Sequence, residues 1–271
     1  MEMQVLDACK IVGICLVRND DRFLDQVIRN ALAFCDELIL ADHGSTDGTA
    51  DICRKWKDQE PRVSYHRIAH PSESHELIRP YAGTRTWVFG VDGDELYEPD
   101  RLQLLRTQIQ SGRFAETWQV MGKVLHCVSY DEDNGVAAGY LARPARPMTK
   151  LYNFSLIRDW EGPCSERMHH GRVVFRDGRA EGGKDCTESE LDWDKAVFRC
   201  LHMVFVPRSS MQQKGQVARP NIAEKNAWGW VAKLRYHFAC MLGREPDSRT
   251  KQDAYMRGPL YTISTDSFFQ S

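Results

Sequence analysis

The nine cysteines of this chain, at positions 9, 15, 35, 53, 127, 164, 186, 200 and 240, form no C-x-x-C pair. Their scatter and odd number argue against both a zinc cluster and a disulfide framework. Several lie in apolar runs, where a free thiol behaves as a small hydrophobe, so a reducing, cytoplasmic location is expected. The N-terminus lacks the apolar core of a signal peptide. No apolar run is long enough to span a bilayer, which leaves peripheral contact as the one open route to a membrane. An excess of either charge is missing too: 36 Lys and Arg against 38 Asp and Glu leave a net charge of −2. No strong basic field therefore points to nucleic acid or an anionic surface. Internal repeats and low-complexity tracts are absent. The 271 residues suit one large α/β domain, or one domain with an appended lobe, and supply ample chain for a core.

What is present is an alternation of strands and helices. Lys10 to Val17 (KIVGICLV) is an apolar strand, followed by the polar loop Arg18-Asn19-Asp20-Asp21. Phe23 to Phe34 carries apolar residues at helical spacing. Glu37 to Ala41 is a second strand, ending in Asp42-His43-Gly44-Ser45-Thr46-Asp47-Gly48-Thr49, after which a helix runs to about Lys57. Val63 to Ile68 is a third strand. Such alternation predicts right-handed βαβ units and a parallel sheet. Ser45, Thr46 and Asp47 suit turn and capping chemistry. Asp42, at a strand end, is not needed for a cap and is free to accept hydrogen bonds from a base or ribose.

The stretch Trp87-Val88-Phe89-Gly90-Val91-Asp92-Gly93-Asp94-Glu95 begins as a buried strand and ends in three carboxylates around one glycine. Ligands of open α/β sheets sit beyond the carboxyl ends of such strands. In an extended chain Asp92 and Asp94 project to one side, and their repulsion asks for a cation or for water between them. Mg²⁺ binds through one or two carboxylates plus substrate phosphates. Gly93 leaves room for a ligand against the backbone. The competing reading is an acidic turn, with Glu95, Glu98 and Asp100 at the positive end of the next helix. A calcium loop does not fit, because Leu96 and Tyr97 stand at its oxygen-ligand and glycine positions.

Taken together, the first strand with Arg18-Asn19-Asp20, then ELILADHGSTDGT, then WVFGVDGDE, in this order over roughly the first 110 residues, resembles glycosyltransferase family 2. The resemblance implies the GT-A fold: an α/β, Rossmann-like and mainly parallel central sheet flanked by helices. It implies a donor-binding half over residues 1–115. Residues 116–271 would add an acceptor-side region and a long C-terminal helix, all within one continuous domain. The implied reaction is metal-dependent transfer, with inversion, from a nucleotide sugar to a hydroxyl acceptor. A UDP-sugar is the first choice of donor, with the base left open. The implied donor contacts are Val17, Asn19, Asp42, Arg79, Asp92 and Gly93. The implied ligands of Mn²⁺ or Mg²⁺ are Asp92, Asp94 and His202. In this family an Ala-Arg-Asn segment often precedes the D-x-D strand; here the region reads His75 to Gly83, and Arg79 either supplies the charge beside the donor or is a surface residue next to Pro80.

The second half carries weaker signals. Pro99 to Gln110 reads as a helix and Thr117 to Val128 as a strand. Asp131 to Gly139 reads as an acidic loop, Tyr140 to Pro147 as irregular, and Lys150 to Phe154 as a short strand. Trp160 to Arg167 resembles the family's tryptophan-glycine segment, with Ser165 in place of a histidine and Glu166 keeping the acid. A general base must reach the acceptor hydroxyl. Glu166 is the first candidate and Asp185 the competitor. His202 lies within the apolar run Phe198 to Phe205 and reads either as a core residue or as the late metal ligand that the resemblance implies. His169 and His170 read as polar surface. Pro207 to Arg219 holds Arg208, Lys214 and Arg219, a loop suited to closing over a diphosphate. Asn221 to Leu242 reads as a long helix whose aromatic stripe serves packing, a homo-oligomer face or a membrane surface. Two other functions stay open: a non-catalytic GT-A nucleotide-binding domain, and a sugar-phosphate nucleotidyltransferase, which the glycine-free Arg18 to Asp21 loop disfavours.

Overall fold

The computed structural model describes residues 9–142, 148–161, 172–176, 183–212 and 255–269. The expected alternation holds through the first half. It runs β1 (Lys10–Val17), α1 (Leu24–Leu32), β2 (Glu37–Asp42), α2 (Thr49–Gln59), β3 (Val63–Arg67), α3 (Ser74–Ile78), β4 (Thr86–Asp92), β5 (Glu95–Tyr97) and α4 (Pro99–Gln110). The sheet order β4-β1-β2-β3 is parallel throughout. Residues of β1 divide by parity: Ile11, Cys15 and Val17 enter one apolar cluster, while Val12 and Ile14 enter the other. That two-sided burial is why the strand reads as continuous hydrophobicity.

The second half extends the same sheet with mixed pairing. β6 (Thr117–Asp131), β7 (Val136–Leu141) and β8 (Met148–Asn153) are joined antiparallel, and β8 also lies antiparallel to β4. β9 (Ile157–Glu161) and β10 (Arg172–Phe175) make a separate two-stranded sheet. β11 (Gly183–Asp185) and β12 (Arg199–His202), on either side of the short helix α5 (Thr187–Glu190), both run parallel to β6. β13 (Leu260–Ser264) closes the far edge against β7.

The acidic segment from Asp131 is not a loop to Gly139: β6 continues to Asp131 and β7 begins at Val136, so it is a hairpin. β7 can lie this close because it is built of small residues; a Cβ on Gly139 would stand 2.3 Å from the His126 carbonyl oxygen. Tyr140 and Leu141, expected to be irregular, end that strand. The expected helix from Asn221 to Leu242 lies outside the described residues, as do Glu166, His169, His170, Lys214 and Arg219.

Buried ion pairs tie the halves together. Glu98, at the start of α4, accepts from Arg199 of β12 at 2.5 and 2.9 Å, and from the Ser267 hydroxyl at 2.6 Å. Burial alone would raise the Glu98 pKa, but the bonds from Arg199 and Ser267 and the charge of Arg101 outweigh it and hold the carboxyl below its ordinary value.

Candidate active site

The carboxyl ends of β1, β2 and β4 converge on one acidic cluster. The β1–α1 loop turns at Asn19, whose φ of 56° is left-handed, a region that Asn tolerates better than most residues. Its side-chain carbonyl accepts the Thr46 N–H at 2.8 Å, and its own N–H donates to the Ser45 hydroxyl at 3.1 Å. The Asp20 N–H donates to the Thr49 hydroxyl at 2.8 Å. Ser45 and Thr46 thus knit two loops together, and Asp47 accepts the Thr49 N–H at 3.0 Å as expected of turn chemistry.

Asp42 is fully buried. One oxygen accepts the Ser45 N–H at 2.8 Å and the other the Tyr65 hydroxyl at 3.0 Å. Burial, then the bond to Asp42, pushes the Tyr65 hydroxyl up to about 12, so it remains a donor at neutral pH. Asp42 therefore shapes its turn, a task the sequence did not require of it. Val17 is a core residue whose carbonyl accepts the His43 N–H at 2.9 Å.

At the end of β4 the two acids have different surroundings. Asp92 keeps 26 % of its side-chain surface exposed and pairs with the Lys150 ammonium at 2.9 Å. Lys150, 3 % exposed, also pairs with the fully buried Glu95 at 3.0 Å. Glu95 in turn accepts the Asp92 N–H at 3.2 Å. Glu95 is therefore no helix-start acid; it belongs to β5 and braces the cluster. Asp94 is fully buried, 3.5 Å from the Arg208 guanidinium and 3.7 Å from Nε2 of His202. The same Arg208 nitrogen stands 3.0 Å from Asp20. Gly93 makes room chiefly for Asp20: a Cβ there would lie 2.8 to 2.9 Å from the Asp20 side chain. The close approach permitted by the missing Cβ is thus by the chain's own acid.

His202 arrives by strand pairing. β12 lies between β5 and β6, with His202 in register with Glu95 on one side and His126 on the other. The Met203 N–H donates to the Asp94 carbonyl at 2.8 Å. The segment after β12 is strapped across the β1–α1 loop. Ser209 donates to Asp47 at 2.6 Å, the Ser210 N–H donates to Asp21 at 2.6 Å, and the Arg22 N–H donates to the Arg208 carbonyl at 3.0 Å.

Two of the remaining candidates stand apart from these contacts. Arg79 bonds Glu76 at 2.7 and 2.8 Å and Asp159 at 2.5 Å, with its guanidinium over the Trp160 ring at 4.4 Å. Asp185 ends β11 and accepts the Thr187 N–H at 2.9 Å, a helix-start bond. Asp20, Glu95, His126 and Lys150 were not singled out as functional by sequence reading. Asp20 sits in the quoted Arg18-Asn19-Asp20 loop, and His126, like His202, is a lone histidine in an apolar run.

Among the described residues, no three His, Cys, Asp or Glu side chains are grouped as a ready metal cage. The donor chemistry nonetheless suits a hard or borderline divalent ion: carboxylate oxygens and one imidazole. Asp20, Asp92, Asp94 and Glu95 share this strand end with Lys150 and Arg208.

The chain is similar to several known proteins. The family described as "Glycosyl transferase family 2" matches residues 14–179. The lipopolysaccharide core biosynthesis glycosyltransferase LpsC of Rhizobium meliloti (strain 1021) is 26 % identical over 171 residues, covering 59 % of this chain and 55 % of that protein. The chain thus spans about half the length of this curated relative. Among solved structures, the mannosyltransferase PcManGT of Pyrobaculum calidifontis, in complex with GDP-Man and Mn²⁺, superposes with a TM-score of 0.45 at 14 % identity, over 89 % of this chain and 66 % of that one. Glucosyl-3-phosphoglycerate synthase of Mycobacterium tuberculosis, in complex with phosphoglyceric acid, gives 0.33 at 18 % identity over 44 % of each chain. The family match covers more than half of the sequence and includes β2 and β4, which carry Asp42 and Asp92, and the turn that holds Asp94, and the chain belongs to glycosyltransferase family 2, with its GT-A fold.

Proposed function

We propose that this protein is a metal-dependent, inverting glycosyltransferase that moves a sugar from a nucleotide-sugar donor to a hydroxyl acceptor. The observation that carries the reading is the acidic cluster at the carboxyl ends of β1 and β4, with His202 Nε2 3.7 Å from the buried Asp94 carboxylate. Asp94 and His202 would hold Mn²⁺ or Mg²⁺, with Asp92 as the more exposed neighbour. When bound, the ion offsets the charge that develops on a departing nucleoside diphosphate, the main electrostatic demand of such a step.

The chain's own groups supply the rest. Lys150 orients Asp92 as an acceptor for ribose hydroxyls. Arg208 can exchange its carboxylates for diphosphate oxygens, for which a guanidinium is well shaped. Asp42 serves the nucleobase only if the Ser45 turn opens, since its carboxylate is fully buried. Val17, Asn19 and Gly93 line the same strand ends. Arg79 would reach the donor only by leaving Glu76 and Asp159. The acceptor hydroxyl gives its proton to Glu166 or Asp185 as it attacks the anomeric carbon from the face opposite the leaving group.

Residues 1–115 serve as the donor half and 116–271 as the acceptor half of one domain, its continuity supported by the antiparallel pairing of β4 with β8 inside one sheet. Seven described cysteines are free thiols, which supports a reducing cytoplasm. Among the described residues no helix is long and apolar enough to cross a membrane. The test is a thermal-shift and product-release panel of UDP-, GDP-, dTDP- and CMP-sugars with Mn²⁺, the UDP-sugars first. Stabilisation by one donor with slow, EDTA-sensitive release of its nucleoside diphosphate is expected. Stabilisation without release would favour a non-catalytic nucleotide-binding domain, and no response to any donor would refute the reading.

A further inference from the structure

We propose that His126 is a positioning residue whose Nδ1 accepts the Nδ1–H of His202 and so supports the form in which His202 Nε2 can take a divalent cation. The inference rests on the reading of Asp94 and His202 as cation ligands. His126 lies in β6 and His202 in β12, in parallel register, and both side chains are buried. Their Nδ1 atoms are 3.1 Å apart. At that distance one nitrogen carries a hydrogen and the other accepts it; two lone pairs would repel. The Tyr255 ring lies flat on His126, with centroids 4.1 Å apart and planes at 5°, and fixes its orientation.

The contact has two arrangements. In one, His126 Nδ1–H donates to His202, whose own hydrogen is then on Nε2 and faces Asp94, 3.7 Å away. In the other, His202 Nδ1–H donates to His126, and the His202 Nε2 lone pair faces Asp94. Only the second can accept a cation, because a metal-bound imidazole nitrogen carries no hydrogen. His126 Nδ1 is thus the acceptor that the cation-competent arrangement of His202 needs.

The test compares Mn²⁺ affinity, read as the loss of the free-ion electron paramagnetic resonance signal, in His126→Phe, His126→Asn and the parent protein. Phenylalanine keeps the stack on Tyr255 but accepts no hydrogen bond, and its affinity should fall about 10–100-fold, the usual cost of losing such a partner. Asparagine keeps an acceptor oxygen near the Nδ1 position and should stay within about threefold. Nitrogen-15 spectra of the Cd²⁺-loaded parent protein should show His202 protonated at Nδ1. A phenylalanine variant that folds and binds Mn²⁺ as tightly as the parent overturns the proposal, as does an asparagine variant as weak as phenylalanine. If the phenylalanine variant does not fold, the spectra decide: a hydrogen on His202 Nε2 in the loaded protein overturns it. Asp94→Ala separates the two levels, since unchanged Mn²⁺ affinity there would remove the metal reading itself.

Discussion

Replacing Lys150 by methionine removes the cation that sits between Asp92 and Glu95 while keeping most of the side chain's apolar bulk. The two carboxylates differ in what happens next. Asp92, 26 % exposed, can turn toward water. Glu95, fully buried, cannot, and loses its ion pair at 3.0 Å while keeping the bond from the Asp92 N–H at 3.2 Å. The loss is therefore set by breaking one buried ion pair, about 3–5 kcal/mol. The double variant Lys150→Met/Glu95→Gln removes both charges of that pair and keeps an acceptor for the Asp92 N–H. It should recover about 2 kcal/mol or more of that loss, since replacing both members of a buried pair is often near neutral. Urea denaturation followed by circular dichroism measures all four corners of the cycle. Mn²⁺ should also stabilise Lys150→Met more than the parent, because the variant has one positive charge fewer beside these acids. A single variant within about 1 kcal/mol of the parent, or a double variant no better than the single, would refute this charge balance.

Three further outcomes follow from the same geometry. Glu98→Gln weakens a buried, bidentate Arg199 pair and should cost about 3 kcal/mol at neutral pH. Because the folded Glu98 carboxyl lies below its ordinary value of 4.5, its contribution is present above the unfolded pKa and is lost as pH falls through the folded one, so the gap between variant and parent in urea melts should narrow below about pH 4.5. Gly93→Ala places a Cβ within 2.9 Å of the Asp20 Cβ and should lower stability by about 1–3 kcal/mol through overpacking, measured by thermal melts. Arg208→Gln should weaken nucleoside diphosphate binding by calorimetry about tenfold or more, the loss of one charge-assisted contact, and equal affinity would exclude Arg208 from the donor site.

The parallel half of the sheet was legible because β1, β2 and β4 are buried on both faces and carry unbroken apolar runs. Asp92 and Asp94 were legible because a hydrophobic strand ends abruptly in acids. The neighbours that complete the cluster were not: Lys150 meets Asp92 across 58 positions, and Arg208 meets Asp94 across 114. Nothing local marks such a pairing, and Lys150 at the head of KLYNF reads as an ordinary strand residue. The β6–β7 hairpin was hidden for a related reason. Its small residues look like loop composition, but they are required where β7 presses against the His126 carbonyl. His126 was masked by the bland reading of a lone histidine in an apolar strand, and only its register with His202 gives it a role.

The account stands on a divalent ion held by Asp94 and His202 beneath a nucleoside diphosphate. Crystals of the full chain soaked with Mn²⁺ and a nucleoside diphosphate, with data collected at the manganese absorption edge, test it directly. The account predicts one strong anomalous peak within ligand distance of the Asp94 carboxylate and His202 Nε2, bridged to the diphosphate. A bound nucleotide with no peak there, or with the manganese coordinated by other side chains, would contradict it.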